Sequence, residues 1–216
     1  DCDGVILNSN MVKTQAFYLI AKLFGDEIAV SFIKYHKKNG GISRHLKIKY
    51  LVDELIPRFN SDIKEASIKE LTLAYANNVI EGLKSCEISR SLDKLRNLTQ
   101  KSNWLIVSGG DQLELRHIFS IRKLDYLFES GIFGCPENKE EIVSREISRD
   151  NIKFPGIFIG DSKYDYQVAC KFDLDFIFLT NWTEVKDSIK WCKENDINYL
   201  PSLHELYKKQ LIQIEE

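Results

Sequence analysis

Three short apolar runs in the second half of this chain narrow its possible folds more than any other feature. Trp104-Leu105-Ile106-Val107 ends in Ser108-Gly109-Gly110. Gly156-Ile157-Phe158-Ile159 ends in Gly160-Asp161-Ser162. Phe176-Ile177-Phe178-Leu179 ends in Thr180-Asn181. Each run is too short for a helix and rich in β-branched or aromatic residues. Each is followed by polar residues and then a helical pattern, as in parallel sheets covered by helices on both faces. In such sheets ligands bind beyond the carboxyl ends of the strands, so the polar residues closing each run are the ones to weigh.

The first half has another texture. Phe17, Ile20, Ala21 and Phe24 recur at i, i+3, i+4 and i+7. Ile48, Leu51, Val52 and Leu55 do the same, and Ile68, Leu71, Tyr75 and Val79 keep the period. Gly25, Gly40-Gly41 and Pro57 punctuate the helices, and Ser43 and Asp62 read as N-caps. The expected class is therefore α/β. It comprises a Rossmann-like parallel sheet core with helices on both faces (residues 1–11 and 89–216) and an inserted α-helical domain (12–88).

The chain opens on Asp1-Cys2-Asp3-Gly4-Val5, two carboxylates two residues apart followed by a glycine. In an extended segment both acids face one side. A carboxylate is a covalent nucleophile toward phosphorus once a cation offsets the charge between them, and a second acid can move the proton of the leaving oxygen. Alone the pattern is weak, because aspartate and glycine also favour turns. A nucleophile at a strand tip needs a strand before it, so the natural protein is expected to carry residues upstream of Asp1.

Other function classes find little support. A formal net charge of -2 gives no reason to expect nucleic acid. No apolar run approaches the ~20 residues that span a bilayer. Five scattered cysteines without a C-x-x-C pair suit a reduced cytoplasmic chain and neither a disulfide framework nor a zinc site. Cys2 reads as packing.

Four pieces fall in order: the Asp1 motif, Ser108-Gly109-Gly110, Lys139, and Gly160-Asp161-Ser162-Lys163-Tyr164-Asp165. They supply a nucleophile, a proton donor, phosphate hydrogen-bond donors, a fixed positive charge and metal-binding acids, the inventory of phosphoryl transfer. With the helical insertion after the first piece, the chain resembles haloacid-dehalogenase-like phosphohydrolases with a helical cap, similar to phosphoglycolate phosphatase and β-phosphoglucomutase enzymes. The resemblance covers nearly the whole chain, and the Asn8-Ser9 pair fits the link from core to cap. It implies Asp1 as nucleophile and Asp3 as general acid and base. The Asp1 carboxylate, the Asp3 carbonyl and Asp161 would bind Mg²⁺, with Asp165 either a ligand or an acid holding metal-bound water. Ser108 and Gly109 would bind phosphate, and Lys139 would bridge phosphate and nucleophile. Arg44, in the cap loop Gly40-Gly41-Ile42-Ser43-Arg44, would grip a second anionic group on the substrate.

Blander readings stand beside these. Asp161 and Asp165 also suit a helix cap, Ser108 a strand-to-helix cap, Lys139 a solvated helix start among Glu137, Glu140 and Glu141, and Arg44 a solvated basic turn. Lys163, His36 and His45 read as surface residues. The expected activity is a Mg²⁺-dependent monoester phosphatase acting through an aspartyl-phosphate on a small phosphorylated metabolite, as a monomer or weak homodimer, with no nucleic-acid or membrane partner. A sugar phosphomutase and a non-catalytic domain retaining the fold are the alternatives. A dehalogenase has no need of Asp3 and the metal acids. A phosphonate-cleaving relative would use a cap lysine as a Schiff base, and Lys13, Lys37 and Lys47 leave that open.

Overall fold

The structure is a computed structural model that describes residues 1–59 and 67–215, with side chains through residue 209. Asp62, read as an N-cap, lies outside the described residues.

Helices dominate the first part. α1 (Asn10–Lys22), α2 (Asp26–Lys38), α3 (Arg44–Tyr50), α4 (Ile56–Phe59) and α5 (Ile68–Ser85) follow one another. α1 buries Ala16, Phe17, Ile20 and Ala21, one stripe at helical spacing. That stripe meets Ile28, Ala29 and Phe32 of α2 and Leu71, Tyr75 and Val79 of α5 in one apolar cluster. Phe17 is its centre, edge-on to Phe32 at 5.5 Å and tilted against Tyr75 at 4.3 Å. Ser43 caps α3, accepting from the Leu46 N–H, and Ser67 caps α5 through the Glu70 N–H. The Ile48–Leu55 pattern is not one regular helix. A π-helical turn over Leu51–Leu55 separates α3 from α4, and this wider turn keeps Leu51, Leu55 and Ile56 all buried.

The chain enters and leaves this helical part through two paired segments. The Asn8 N–H donates to Glu87 O and the Ser89 N–H to Ile6 O, with an antiparallel bridge between Leu7 and Ile88.

From residue 92 onward helices and strands alternate: α6 (Leu92–Leu98), β1 (Ile106–Asp111), α7 (Gln112–Ile121), β2 (Ile132–Cys135), α8 (Lys139–Ser148), β3 (Ile157–Gly160), α9 (Lys163–Lys171), β4 (Asp175–Leu179), α10 (Ser188–Glu194), β5 (Tyr199–Leu200) and α11 (Leu203–Glu215). β1 pairs parallel with β2, and β3, β4 and β5 form a second parallel group in that order. Adjacent residues of β1 show both faces covered. Ile106 joins the cluster of Leu115, Ile118 and Phe119 from α7, whereas Val107 joins Ile142 and Val143 of α8 and Val168 and Ala169 of α9.

Two sequence expectations need correction. β1 starts at Ile106, not Trp104, and runs through Ser108-Gly109-Gly110 to Asp111 with a register shift between Val107 and Asp111. The α7 N-cap is therefore Asp111, which accepts from the Glu114 N–H at 3.0 Å, and not Ser108. β2 and β5 were not anticipated, being only four and two residues long.

Candidate active site

The site is built around the first turn of the chain. Backbone bonds from the Gly4 N–H to Leu7 O and from the Ile6 and Leu7 N–H groups to Cys2 O fold residues 2–7 tightly. Gly4 has φ +74°, and a Cβ there would lie 2.0 Å from the Asp161 carboxylate, so only glycine fits. The Asp1 backbone nitrogen donates to Ile159 O at 2.8 Å, which sets Asp1 at the carboxyl end of β3. Cys2 is fully buried and packs in the core.

Four of the expected residues meet here. Lys139 is fully buried at the first turn of α8, whose start is fixed by a reciprocal cap between Asn138 and Glu141. Its ammonium lies 2.9 Å from Asp1 Oδ1 and 2.5 Å from Asp165 Oδ1. The Cys2 N–H also donates to Asp1 Oδ1, at 2.7 Å. Asp165 Oδ2 accepts from the Ser162 hydroxyl and N–H, in the reciprocal cap that starts α9. The reading of Lys139 as a solvated helix start is thus overturned: its neighbours Glu140 and Glu141 lie at the helix start, but the ammonium is inside. Lys163 is exposed, as expected, with its ammonium over the Trp191 ring.

Asp1, Asp161 and Asp165 each offer an oxygen, all within 4.8 Å of one another. The donors are hard oxygens without histidine or thiolate, which suits Mg²⁺. Burial, reinforced by the charge of Asp165, pushes the Asp161 carboxyl up to about 8. A divalent cation among these acids would offset both causes, so the donor set fits one. Asn10, which sequence reasoning passed over, donates to Asp161 Oδ2 at 2.6 Å and to Trp182 O at 2.8 Å, and so orients that carboxylate.

Asp3 accepts from the Ser9 hydroxyl at 2.5 Å and from Lys13 Nζ at 2.6 Å. Burial pushes its carboxyl up, but the Lys13 ammonium and the Ser9 hydroxyl outweigh burial and hold it below the ordinary range. The acid is therefore ionised at neutral pH in this arrangement.

Ser108 is fully buried, and its hydroxyl accepts from the Gly110 N–H at 3.0 Å. Gly109 and Gly110 line the pocket above Asp1. A Cβ on Gly109 would lie 2.3 Å from Gly41 O, so the glycine lets the loop between α2 and α3 come down onto β1.

That loop carries Arg44, buried and not solvated. Its guanidinium makes a two-pronged ion pair with Glu114 of α7, at 2.5 and 3.0 Å, and lies 4.9 Å from the Tyr75 ring centroid. The expected grip on a substrate anion meets a guanidinium already holding a carboxylate, which ties the helical part to the core. His36 is also not a surface residue. It is 7% exposed and bonded to Thr14 and Lys47. His45 is exposed, as expected. Glu184, which had no sequence signal, accepts from Thr14 and pairs with Lys37 at 3.2 Å.

No protein-family model and no curated protein matches the sequence. Solved structures do. A protein from Clostridium acetobutylicum described as a phosphatase superposes with a TM-score of 0.68 at 20% identity, over 98% of this chain and 95% of that one. A haloacid-dehalogenase-type hydrolase from Bacillus subtilis bound to magnesium gives 0.64 at 17% identity, over 95% and 94%. A Thermotoga maritima protein described as a β-phosphoglucomutase gives 0.64 at 13% identity, over 96% and 94%. The chain has the haloacid-dehalogenase-like hydrolase fold, at nearly the full length of these structures.

Proposed function

We propose that this chain is a Mg²⁺-dependent phosphoric monoester hydrolase acting on a small phosphorylated metabolite in the cytoplasm. The observation that carries the reading is the cluster of Asp1, Asp161 and Asp165 beside the buried Lys139, at the carboxyl ends of parallel strands. A solely structural cluster would gain nothing from crowding three acids around one cation, since buried unpaired charge is costly.

Each side chain then has a task. Asp1 attacks phosphorus; the P–O bond to the leaving alcohol breaks and an aspartyl-phosphate forms. Lys139 holds Asp1 Oδ1 and adds positive charge for the transferring phosphoryl oxygens. The Gly109 N–H and the Ser108 hydroxyl are the phosphate donors. Asp3, ionised in the free site, takes the proton that a monoanionic phosphate ester brings and passes it to the leaving oxygen; it then takes one from the water that attacks the aspartyl-phosphate, releasing phosphate and restoring Asp1. Asp1, Asp161 and the Asp3 carbonyl would hold Mg²⁺, which would supply the charge neutralisation that lets a carboxylate approach a phosphate dianion. Asp165 has both oxygens engaged by Lys139 and Ser162, which suits a role in positioning that lysine. Helices α1–α5 act as the cap that excludes water over Asp1, hinged at the 6–8 and 87–89 segments.

The test is release of phosphate from an aryl phosphate, with and without a chelator, by the wild type and Asp1→Asn. Chelator-sensitive release that the variant lacks supports the reading. Release that survives both treatments contradicts it. Incubation with a hexose phosphate separates the phosphomutase alternative, which would yield an isomer and little free phosphate.

A further inference from the structure

The pocket above Asp1 is lined by five cationic side chains: Lys13, Lys37, Arg44, Lys47 and Lys139. Four have a carboxylate close by. Lys13 is 2.6 Å from Asp3, Lys37 3.2 Å from Glu184, Arg44 2.5 Å from Glu114 and Lys139 2.9 Å from Asp1. Lys47 has none within ion-pair distance among the described residues, yet it is 3% exposed. Its amine contacts the His36 ring at Nδ1, 2.8 Å away, and lies 5.5 Å from the Phe17 ring centroid.

The hydrogen-bond chain behind Lys47 has one consistent reading. Thr14 gives its single hydroxyl proton to Glu184. His36 Nε2, 2.9 Å from that hydroxyl and 3.5 Å from Glu184, must then donate. Burial lowers the His36 imidazole to about 4, so the ring is neutral and Nδ1 keeps a lone pair for the Lys47 amine. Glu184 and His36 therefore aim an amine that the core machinery does not use.

We propose that Lys47, positioned by His36 and Glu184, receives a carboxylate carried by the leaving group, so that the site selects small phosphorylated carboxylic acids. The inference deepens the hydrolase reading and rests on it for the placement of the phosphoryl group at Asp1. A buried amine without a counter-ion is the element that an incoming anion completes.

Proton linkage supplies a signature. Burial, with the charge of Lys13 adding to it, lowers the Lys47 amine to about 7. Asp3 and Glu184 face it with the opposite effect, Lys139 with the same one, and His36 is neutral. At pH 8 the amine is largely uncharged. A bound carboxylate raises its pKa, so binding draws in a proton.

The experiment is calorimetric titration of the full chain carrying Asp1→Asn, with Mg²⁺ at pH 8, in two buffers of different ionisation heat. The matched probes are 3-phosphoglycerate and glycerol 3-phosphate, which differ by a carboxylate in place of a hydroxymethyl group. The expected result is binding of 3-phosphoglycerate at least about tenfold tighter, with proton uptake for that probe alone. Adding Lys47→Met should abolish both the preference and the uptake. Adding Lys47→Arg should keep the preference without uptake, because a guanidinium is already charged. Equal binding of the two probes overturns the proposal, as does a preference with proton uptake that survives Lys47→Met. Borohydride trapping of Lys47 by a phosphonate bearing an aldehyde would also overturn it, assigning the amine to carbonyl chemistry. Binding needs no turnover: a chain that shows the preference but never releases phosphate keeps this inference and loses the hydrolase reading. Hydrolysis of both probes at equal kcat/KM does the reverse.

Discussion

The two walls of the pocket handle charge in opposite ways. On the core wall, Lys139, Asp1 and Asp165 lock together within 3 Å, and each helix that carries one of them starts at a reciprocal cap. On the helical wall, Arg44, His36 and Lys37 reach across to Glu114 and Glu184 of the core, and Lys47 stays without a carboxylate. The first wall is a tight cluster at helix starts and the opening turn, which in the proposed function would hold the reacting atoms. The second is a set of cross-links whose remaining amine would meet the rest of the substrate. On that reading, chemistry and selectivity are separately adjustable.

The comparison breaks first at the nucleophile. Asp1→Asn keeps the shape of the core wall and removes its attacking charge. Phosphate release from an aryl phosphate should fall on the order of 10⁴-fold or more, with an unchanged circular-dichroism spectrum. A small loss would place the chemistry elsewhere.

Lys139→Met tests whether the core wall is held by its one buried cation. It leaves Asp1 and Asp165 facing each other without compensation, which costs about 3–5 kcal/mol. Chemical denaturation should show a loss of that size, and Mg²⁺ should restore part of it. A variant as stable as wild type would show that the acids do not depend on the lysine.

The helical wall should yield to mild acid. Burial holds His36 neutral, with a pKa of about 4 against 6.5 for an unperturbed imidazole. Between those values the unfolded chain binds a proton that the folded chain does not, so stability falls as pH drops from about 6.5 to 4. That contribution is on the order of 2–3 kcal/mol. His36→Gln should flatten the stability profile in that window relative to wild type. Parallel profiles would mean that the ring takes up its proton inside the fold.

The smallest effect concerns the link between the walls. Arg44→Met and Glu114→Gln should each destabilise, and the double variant should cost less than their sum, with a coupling of about 1–2 kcal/mol. Additive losses would show that the pair contributes nothing as a pair. An Arg44→Met defect confined to kcat/KM, with stability intact, would return Arg44 to the substrate-gripping role first read for it.

The same contrast explains what was legible in the amino-acid order. Asp1 and Asp3 stand in the opening turn, Ser108 in the glycine-rich part of β1, and Lys139, Asp161 and Asp165 at a strand end or helix start, where local chemistry writes a recognisable string such as Gly160-Asp161-Ser162. The helical periods at Phe17–Phe24 and Ile68–Val79 were equally plain, because α1 and α5 bury one stripe each. Glu114 and Glu184 carried no signal. Glu114 sits on α7 and Glu184 in the loop after β4, and each takes its meaning from a cation 70 or more residues away. His36 and Arg44 looked solvated because their neighbours are lysines and a histidine, while the partners that bury them come from α1, α7 and the loop after β4. Asn10 was hidden for the same reason, 151 residues from the carboxylate it orients. β5 was missed because two residues hold no period.

The central claim is that Asp1 carries the phosphoryl group. The direct measurement is mass spectrometry of the Asp1 peptide after acid quench during turnover of acetyl phosphate with Mg²⁺. The account predicts that this peptide gains the mass of one phosphoryl group within the first turnover, that base removes the gain, and that chelator or Asp1→Asn prevents it. Phosphate released at the wild-type rate while the Asp1 peptide stays unmodified throughout would contradict it.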